Sequence, residues 1–135
     1  MHWYVKVLRA YAVLGGRARR REYWMFTLVS AIVTVVAVLS DQVLGTATVI
    51  VLGYQPDVEI HFGLLELIYS FAVLVPSWAV AVRRLHDIDR SGWWVLLTFV
   101  PIVGWIVLLV FAVQDGTRGA NRFGADPKAG VAQPV

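Results

Sequence analysis

Three apolar runs, each closed by polar or charged residues, set the pattern of the chain. The first, Tyr23–Ser40, is about 18 residues long, or roughly 27 Å at a helical rise of ~1.5 Å, just enough for a bilayer core. The second, Gly63–Val82, is broken only by Glu66, Ser70, Pro76 and Ser77. It stops abruptly at Arg83-Arg84-Leu85-His86-Asp87-Ile88-Asp89-Arg90-Ser91-Gly92. The third, Trp93–Val113, carries Pro101 and Gly104 near its midpoint, where a lost donor and a ring clash predict a break. Ahead of these, His2–Leu14 places Trp3, Tyr4, Val7, Leu8 and Tyr11 at helical spacing, with Lys6 and Arg9 on another face. That predicts a short amphipathic helix, lying among headgroups or packed on the cytoplasmic ends of the spans. The expected fold is an all-α integral membrane protein: an amphipathic N-terminal helix plus three hydrophobic helical segments, the third broken at Pro101–Gly104. It forms one membrane domain over residues 1–128, with spans 23–40, 63–82 and 93–113, and a flexible tail over 129–135.

Between the first two runs lies a stretch of different character. Asp41–Phe62 holds Asp41, Asp57 and Glu59 but no lysine or arginine. Its apolar part, Val43–Tyr54, is too short for a span and is rich in β-branched residues, which suits a hairpin or an interfacial segment. Tyr54-Gln55-Pro56-Asp57 reads as a turn.

Charge supplies the orientation. Of the 12 lysines and arginines, six precede the first run, three follow the second and three lie in the tail. The positive-inside rule places the N-terminus and Arg83–Arg90 in the cytoplasm and Asp41–Phe62 outside. The dense Arg17–Arg21 cluster before an apolar run also resembles a signal peptide. Its long charged region and the lack of a cleavage site favour an uncleaved span. The tail has two readings: a full third crossing exports it, whereas a re-entrant hairpin turning at Pro101–Gly104 keeps it inside, with arms of about eight or nine residues, too short to cross.

Composition agrees with a membrane solvent. Hydrophobic residues make up 59% of the chain and mean hydropathy is +0.68, above the level of soluble domains. The net charge of +3 flanks apolar runs, where anionic lipid explains it better than nucleic acid does. The chain has no cysteine, which excludes disulfides, thiolate chemistry and cysteine zinc sites. No metal or cofactor motif is present, and His86 has no partners at ligand spacing.

Two stripes of small or mildly polar residues, Ser30-Thr34-Ala37-Asp41 and Glu66-Ser70-Val73-Ser77-Ala81, mark expected helix–helix faces. Glu66 is the one ionisable residue inside a span. It reads as an interfacial carboxylate or as a proton or cation site.

Three polar motifs then point to a family. Gly16-Arg17-Ala18-Arg19-Arg20-Arg21-Glu22-Tyr23-Trp24 comes first, followed by Arg83-Arg84-Leu85-His86-Asp87 with Arg90-Ser91-Gly92-Trp93-Trp94. The third is Asp115-Gly116-Thr117 with Asn121-Arg122-Phe123-Gly124-Ala125-Asp126-Pro127. Together with Trp3-Tyr4 and the Pro101–Gly104 break they resemble the signatures of the domain of unknown function 805 family of small bacterial inner-membrane proteins. Arg118 and Ala120 stand where that family tends to have proline and glutamate, and Ala125 where proline is usual, which implies a looser, less acidic loop. The resemblance implies a multi-pass inner-membrane protein and no particular activity.

If the tail is cytoplasmic, the three motifs can meet. Glu22, Asp87, Asp115 and Asp126 would neutralise part of Arg17, Arg19–Arg21, Arg83, Arg84 and Arg122, with His86 in the network. Surplus arginines among Arg17, Arg19, Arg20, Arg83, Arg84 and Arg90 would hold lipid phosphates through their forked donors. The favoured function is non-enzymatic: a basic cytoplasmic face engaging anionic lipid or a partner protein, with a homo-oligomer left open. An oligomeric transporter or channel using Glu66 and the Pro101 break is the alternative. A headgroup enzyme with His86 and Asp87 as acid and base is a further one, weakened because adjacent helical residues point to different faces.

Overall fold

The computed structural model describes residues 2–51 and 59–129 and is mostly helical. In order it contains α1 (His2–Arg9), α2 (Arg20–Leu44), β1 (Ala47–Val51), β2 (Glu59–Gly63), α3 (Leu64–Asp87), a 3-10 helix (Gly92–Phe99) and α4 (Val103–Val113). The turn expected at Tyr54–Asp57 and the tail beyond Ala129 lie outside the described residues. Two compact units are present, one comprising Met1–Thr27 with Val75–Val135 and the other Leu28–Leu74.

Both long helices are apolar enough to cross a membrane, and only 11% and 22% of their most apolar stretches are buried within the protein. The core helix of a soluble protein would be mostly covered. Here Leu28, Ile32, Val36 and Leu39 of α2, and Ile68, Phe71 and Leu74 of α3, are exposed, so these faces require lipid. The α2 hydroxyls do not contradict this. Thr27, Thr34 and Ser40 each donate to the carbonyl four residues back, which removes a free polar group from the helix surface.

In the Leu28–Leu74 unit, α2 runs past Ser40, where the sequence reading ended it, and continues to Leu44. Asp41 does not stop the helix because its side chain turns inward. It accepts from Leu65 N (3.1 Å), Glu66 N (3.0 Å) and the Thr46 hydroxyl, and so caps the start of α3. Gly45, at φ +65, then ends the helix in the left-handed conformation typical of a C-terminal glycine. The strands pair antiparallel, Ala47 opposite Gly63 through Val51 opposite Glu59. Gly63 lies so close to Asp41 that a Cβ there would overlap the carboxylate. Glu66 sits in the first turn of α3 and accepts from Gly63 N at 3.5 Å, so it reinforces the helix start.

In the other unit, α3 continues beyond Val82 to Asp87. Ser91 caps the 3-10 helix by accepting from Trp93 N. Eight residues is long for this helix type. The chain reverses at Val100–Ile102, with Ile102 at φ +63, and returns as α4. Gly104 makes that return possible, since a Cβ would run into the carbonyl oxygen of Leu97. The two limbs match in length: about 16 Å for eight residues at ~2.0 Å and about 16 Å for eleven at ~1.5 Å. Both pack on the end of α3, where Leu85, Val95 and Phe111 form a buried cluster. Near the N-terminus, α1 is held by buried Val7 and by Tyr4 stacked on Phe26 (5.3 Å between centroids).

Replacing Gly63 or Gly104 by alanine is expected to cost about 1–3 kcal/mol each through overpacking. Gly15→Ala, which meets nothing within 4 Å, should be close to neutral. Thermal unfolding of the detergent-solubilised protein measures all three.

Candidate functional site

The last turn of a helix leaves carbonyls without intrahelical partners. At the end of α3, residues from both ends of the chain supply the missing donors. Ala18 N donates to Arg83 O (2.9 Å), Asn121 Nδ2 to His86 O (2.9 Å), and Thr117 donates to Asp87 O from its backbone N (2.8 Å) and its hydroxyl (3.1 Å). The N-terminal linker, the α3 terminus and the tail therefore meet at one place.

A buried carboxylate lies at its centre. Asp87 Oδ1 accepts from Arg17 Nε (3.0 Å) and Oδ2 from Arg84 Nη1 (2.6 Å). Arg17 extends into the tail, donating to Thr117 O (2.5 Å) and Gly119 O (2.6 Å). Arg84 donates to Ala112 O (3.3 Å) and to Gln114 O, which fastens the end of α4. Gly116 fits against Asp87 with no room for a side chain. All three charged side chains are almost fully buried.

A second buried carboxylate, Glu22, accepts from Arg83 Nη1 (3.0 Å) and Lys6 Nζ (2.7 Å). Arg83 Nε and Nη2 have no hydrogen-bond partner among the described residues. Around these cores lie exposed pairs, Arg20–Asp115 (2.8 Å), Lys128–Asp115 (3.5 Å) and Arg122–Asp89 (3.2 Å). Arg90 rests over the rings of Trp94 and Phe111. Asp126 accepts from Gly119 N and Lys128 N, and these two amides hold its carboxyl below the usual range. His86 stacks on Phe123 (3.9 Å, 6°), with Nδ1 3.2 Å from Gly16 O.

Several sequence expectations change in detail. Arg83 pairs with Glu22, and Arg90 turns to the rings of Trp94 and Phe111. Arg17 and Arg84 spend their nitrogens inside the protein, which leaves no fork for a phosphate. Asp126 serves backbone amides, and Arg122 goes to Asp89. Arg9, Arg19, Arg21 and Arg118 make no ion pair among the described residues, and Arg9, Arg21 and Arg118 are exposed. Arg9 and Arg118 as free cations, and Lys6 as the second partner of Glu22, are not among the sequence expectations. Their spacing carries no signal that separates a paired cation from a free one. His86 and Asp87 do not form an acid–base pair, since both Asp87 oxygens face guanidinium groups.

Two lipid-requiring helices and a folded-back apolar segment, tied together at a buried charge cluster, define a small helical membrane protein. Residues 11–125 match the family described as "Protein of unknown function (DUF805)", and the chain belongs to that family. It is 50% identical to "Inner membrane protein YhaH" of Escherichia coli (strain K12) over 128 residues, covering 95% of this chain and 98% of that protein. It is 48% identical to "Inner membrane protein YhaI" of the same strain over 130 residues, covering 96% and 98%. No solved structure matches the chain.

Asp87→Asn removes the only carboxylate between two buried guanidinium groups and should cost about 3–5 kcal/mol. Asp89→Asn, which breaks an exposed pair, should cost no more than about 1 kcal/mol. Unfolding midpoints of the two variants in the same detergent give the comparison.

Proposed function

We propose that this chain is a non-catalytic, multi-pass protein of the bacterial inner membrane whose basic cytoplasmic face engages anionic lipid. The observation that carries the reading is the division of its cations. Arg17, Arg83 and Arg84 are buried in the charge cluster, whereas Arg9, Arg21 and Arg118 are exposed and make no ion pair among the described residues. A cation near an anionic leaflet gains about 1 kcal/mol, so several free arginines suffice for a clear preference. The names of the two relatives support the inner membrane as the location.

The same contacts favour a cytoplasmic tail. Thr117 and Gly119 bond to Arg17, and Ala112 and Gln114 bond to Arg84, so the end of α4 returns to the level at which the 3-10 helix began. Limbs of about 16 Å reach half of a ~30 Å hydrocarbon core. The third segment is then a re-entrant hairpin, its tip at Pro101, and the chain crosses the bilayer twice. The catalytic alternative loses its base, because Asp87 is occupied on both oxygens.

A topology reporter fused after Val135 should score cytoplasmic; an external signal refutes the hairpin. Spin-labelled phosphatidylglycerol should be selected at the protein surface over phosphatidylcholine by about two- to threefold at low salt. The preference should disappear at ~1 M salt, where the screening length is ~3 Å. Replacing Arg9, Arg21 and Arg118 together by glutamine should abolish it without lowering the unfolding midpoint.

A further inference from the structure

A groove of about 360 Å³ runs along α3 toward its charged end. Trp78, Val82 and His86 lie at i, i+4 and i+8 and form one wall, while Trp93 and Leu96 of the 3-10 helix form the other. Over the roughly 12 Å from Trp78 to His86 the lining changes from purely apolar to polar. His86 and Ser91 supply that polar end.

The polar end has a defined hydrogen-bonding character. His86 Nδ1 faces a carbonyl oxygen, which can only accept, so Nδ1 carries the hydrogen. In the neutral ring Nε2 is then an acceptor. It lies on the Gly92 side of the ring, where a Cβ on Gly92 would be 3.3 Å from it. Phe123 holds the ring plane by stacking. Ser91 accepts from Trp93 N through its oxygen, and its hydroxyl hydrogen remains to donate. Beyond the rim, Arg122 lies over the Phe123 ring (4.7 Å) and pairs with Asp89, both half-exposed.

We propose that this groove holds one aminophospholipid. Its acyl chain lies between Trp78 and the Trp93–Leu96 wall, its ammonium donates to His86 Nε2, and its phosphate accepts from the Ser91 hydroxyl and faces Arg122. The complementarity selects this occupant. The groove pairs one acceptor with one donor, beside a cation–anion pair, and this matches a headgroup that carries both charges and N–H donors. A choline headgroup has no N–H to give, and a phosphatidylglycerol headgroup offers His86 only a neutral hydroxyl donor. The groove volume is that of a small-molecule site. The site is separate from the free arginines of the basic face, so either can fail alone.

The test is native mass spectrometry of the full-length protein in detergent, offered phosphatidylethanolamine, phosphatidylcholine or phosphatidylglycerol with identical chains. Phosphatidylethanolamine should be retained at one molecule per chain and at least about tenfold better than phosphatidylcholine, the lower end of the worth of one charge-assisted hydrogen bond. His86→Phe, which keeps an aromatic ring against Phe123, should bring phosphatidylethanolamine down to the phosphatidylcholine level. Leu96→Trp, which fills the groove, should reduce both severalfold. Equal retention of phosphatidylethanolamine and phosphatidylcholine by the unaltered protein overturns the proposal, and that comparison needs no variant. So does a preference surviving in His86→Phe, retention unchanged by Leu96→Trp, or a stable dimer that Leu96→Trp dissolves. Retention of phosphatidylglycerol that is insensitive to both variants belongs to the basic face.

Discussion

Asp87 sits between Arg17 and Arg84, and three segments far apart in sequence depend on that pairing. The carboxylate ends α3, one guanidinium arrives with the N-terminal linker, and the other reaches the end of α4. Each partner also bonds backbone: Arg17 to the tail at Thr117 and Gly119, Arg84 to Ala112 and Gln114. Burying such ions costs several kcal/mol apiece in lost hydration, so the cluster is a poor source of net stability. Its value lies in uniqueness. A misplaced segment would leave one of three buried charges without a partner, a penalty larger than most packing errors. The tail, which has no apolar face of its own, takes its place from these bonds.

Both carboxylate sets carry surplus positive charge. Arg17 and Arg84 share Asp87, and Lys6 and Arg83 share Glu22, so each set has two cations for one carboxylate. The surplus is carried at the end of α3, where cations are also favoured by the helix dipole. It adds to the exposed arginines nearby. In the proposed orientation this end faces the anionic leaflet, and the buried surplus lowers the cost of bringing that face against phosphates.

The two long helices were legible in the sequence because length and apolar content suffice to specify a span. Their ends were less so. Asp41 is charged and looked like the start of a loop, but it is buried as the cap of α3 and the helix passes through it to Gly45. A hairpin was one of two readings of the β-branched stretch after Val43, and Ala47–Val51 pairs with Glu59–Gly63. That the three charged motifs could meet followed from their lying on one side of the apolar runs. Which arginine would pair with which carboxylate did not. Arg83 and Arg84 are neighbours with identical chemistry. A 100° step around α3 sends one to Glu22 and the other to Asp87. The role of Gly104 against Leu97 was likewise invisible, because it depends on how closely two limbs approach.

The two buried carboxylates are not equivalent. Arg84 directs all three nitrogens to acceptors, as does Arg17, so the Asp87 set is closed. Arg83 leaves Nε and Nη2 without partners among the described residues, and the other cation on Glu22, Lys6, is about half exposed. An unmet buried donor costs about 1–3 kcal/mol. Lys6 belongs to α1, whose eight residues are too few to hold a helix in isolation. Buried Val7 and the Tyr4–Phe26 stack also hold α1. The Glu22 set is therefore the less fully bonded half of the cluster. The bonds of the Asp87 set go instead to the linker, the end of α4 and the tail, and none involves α1.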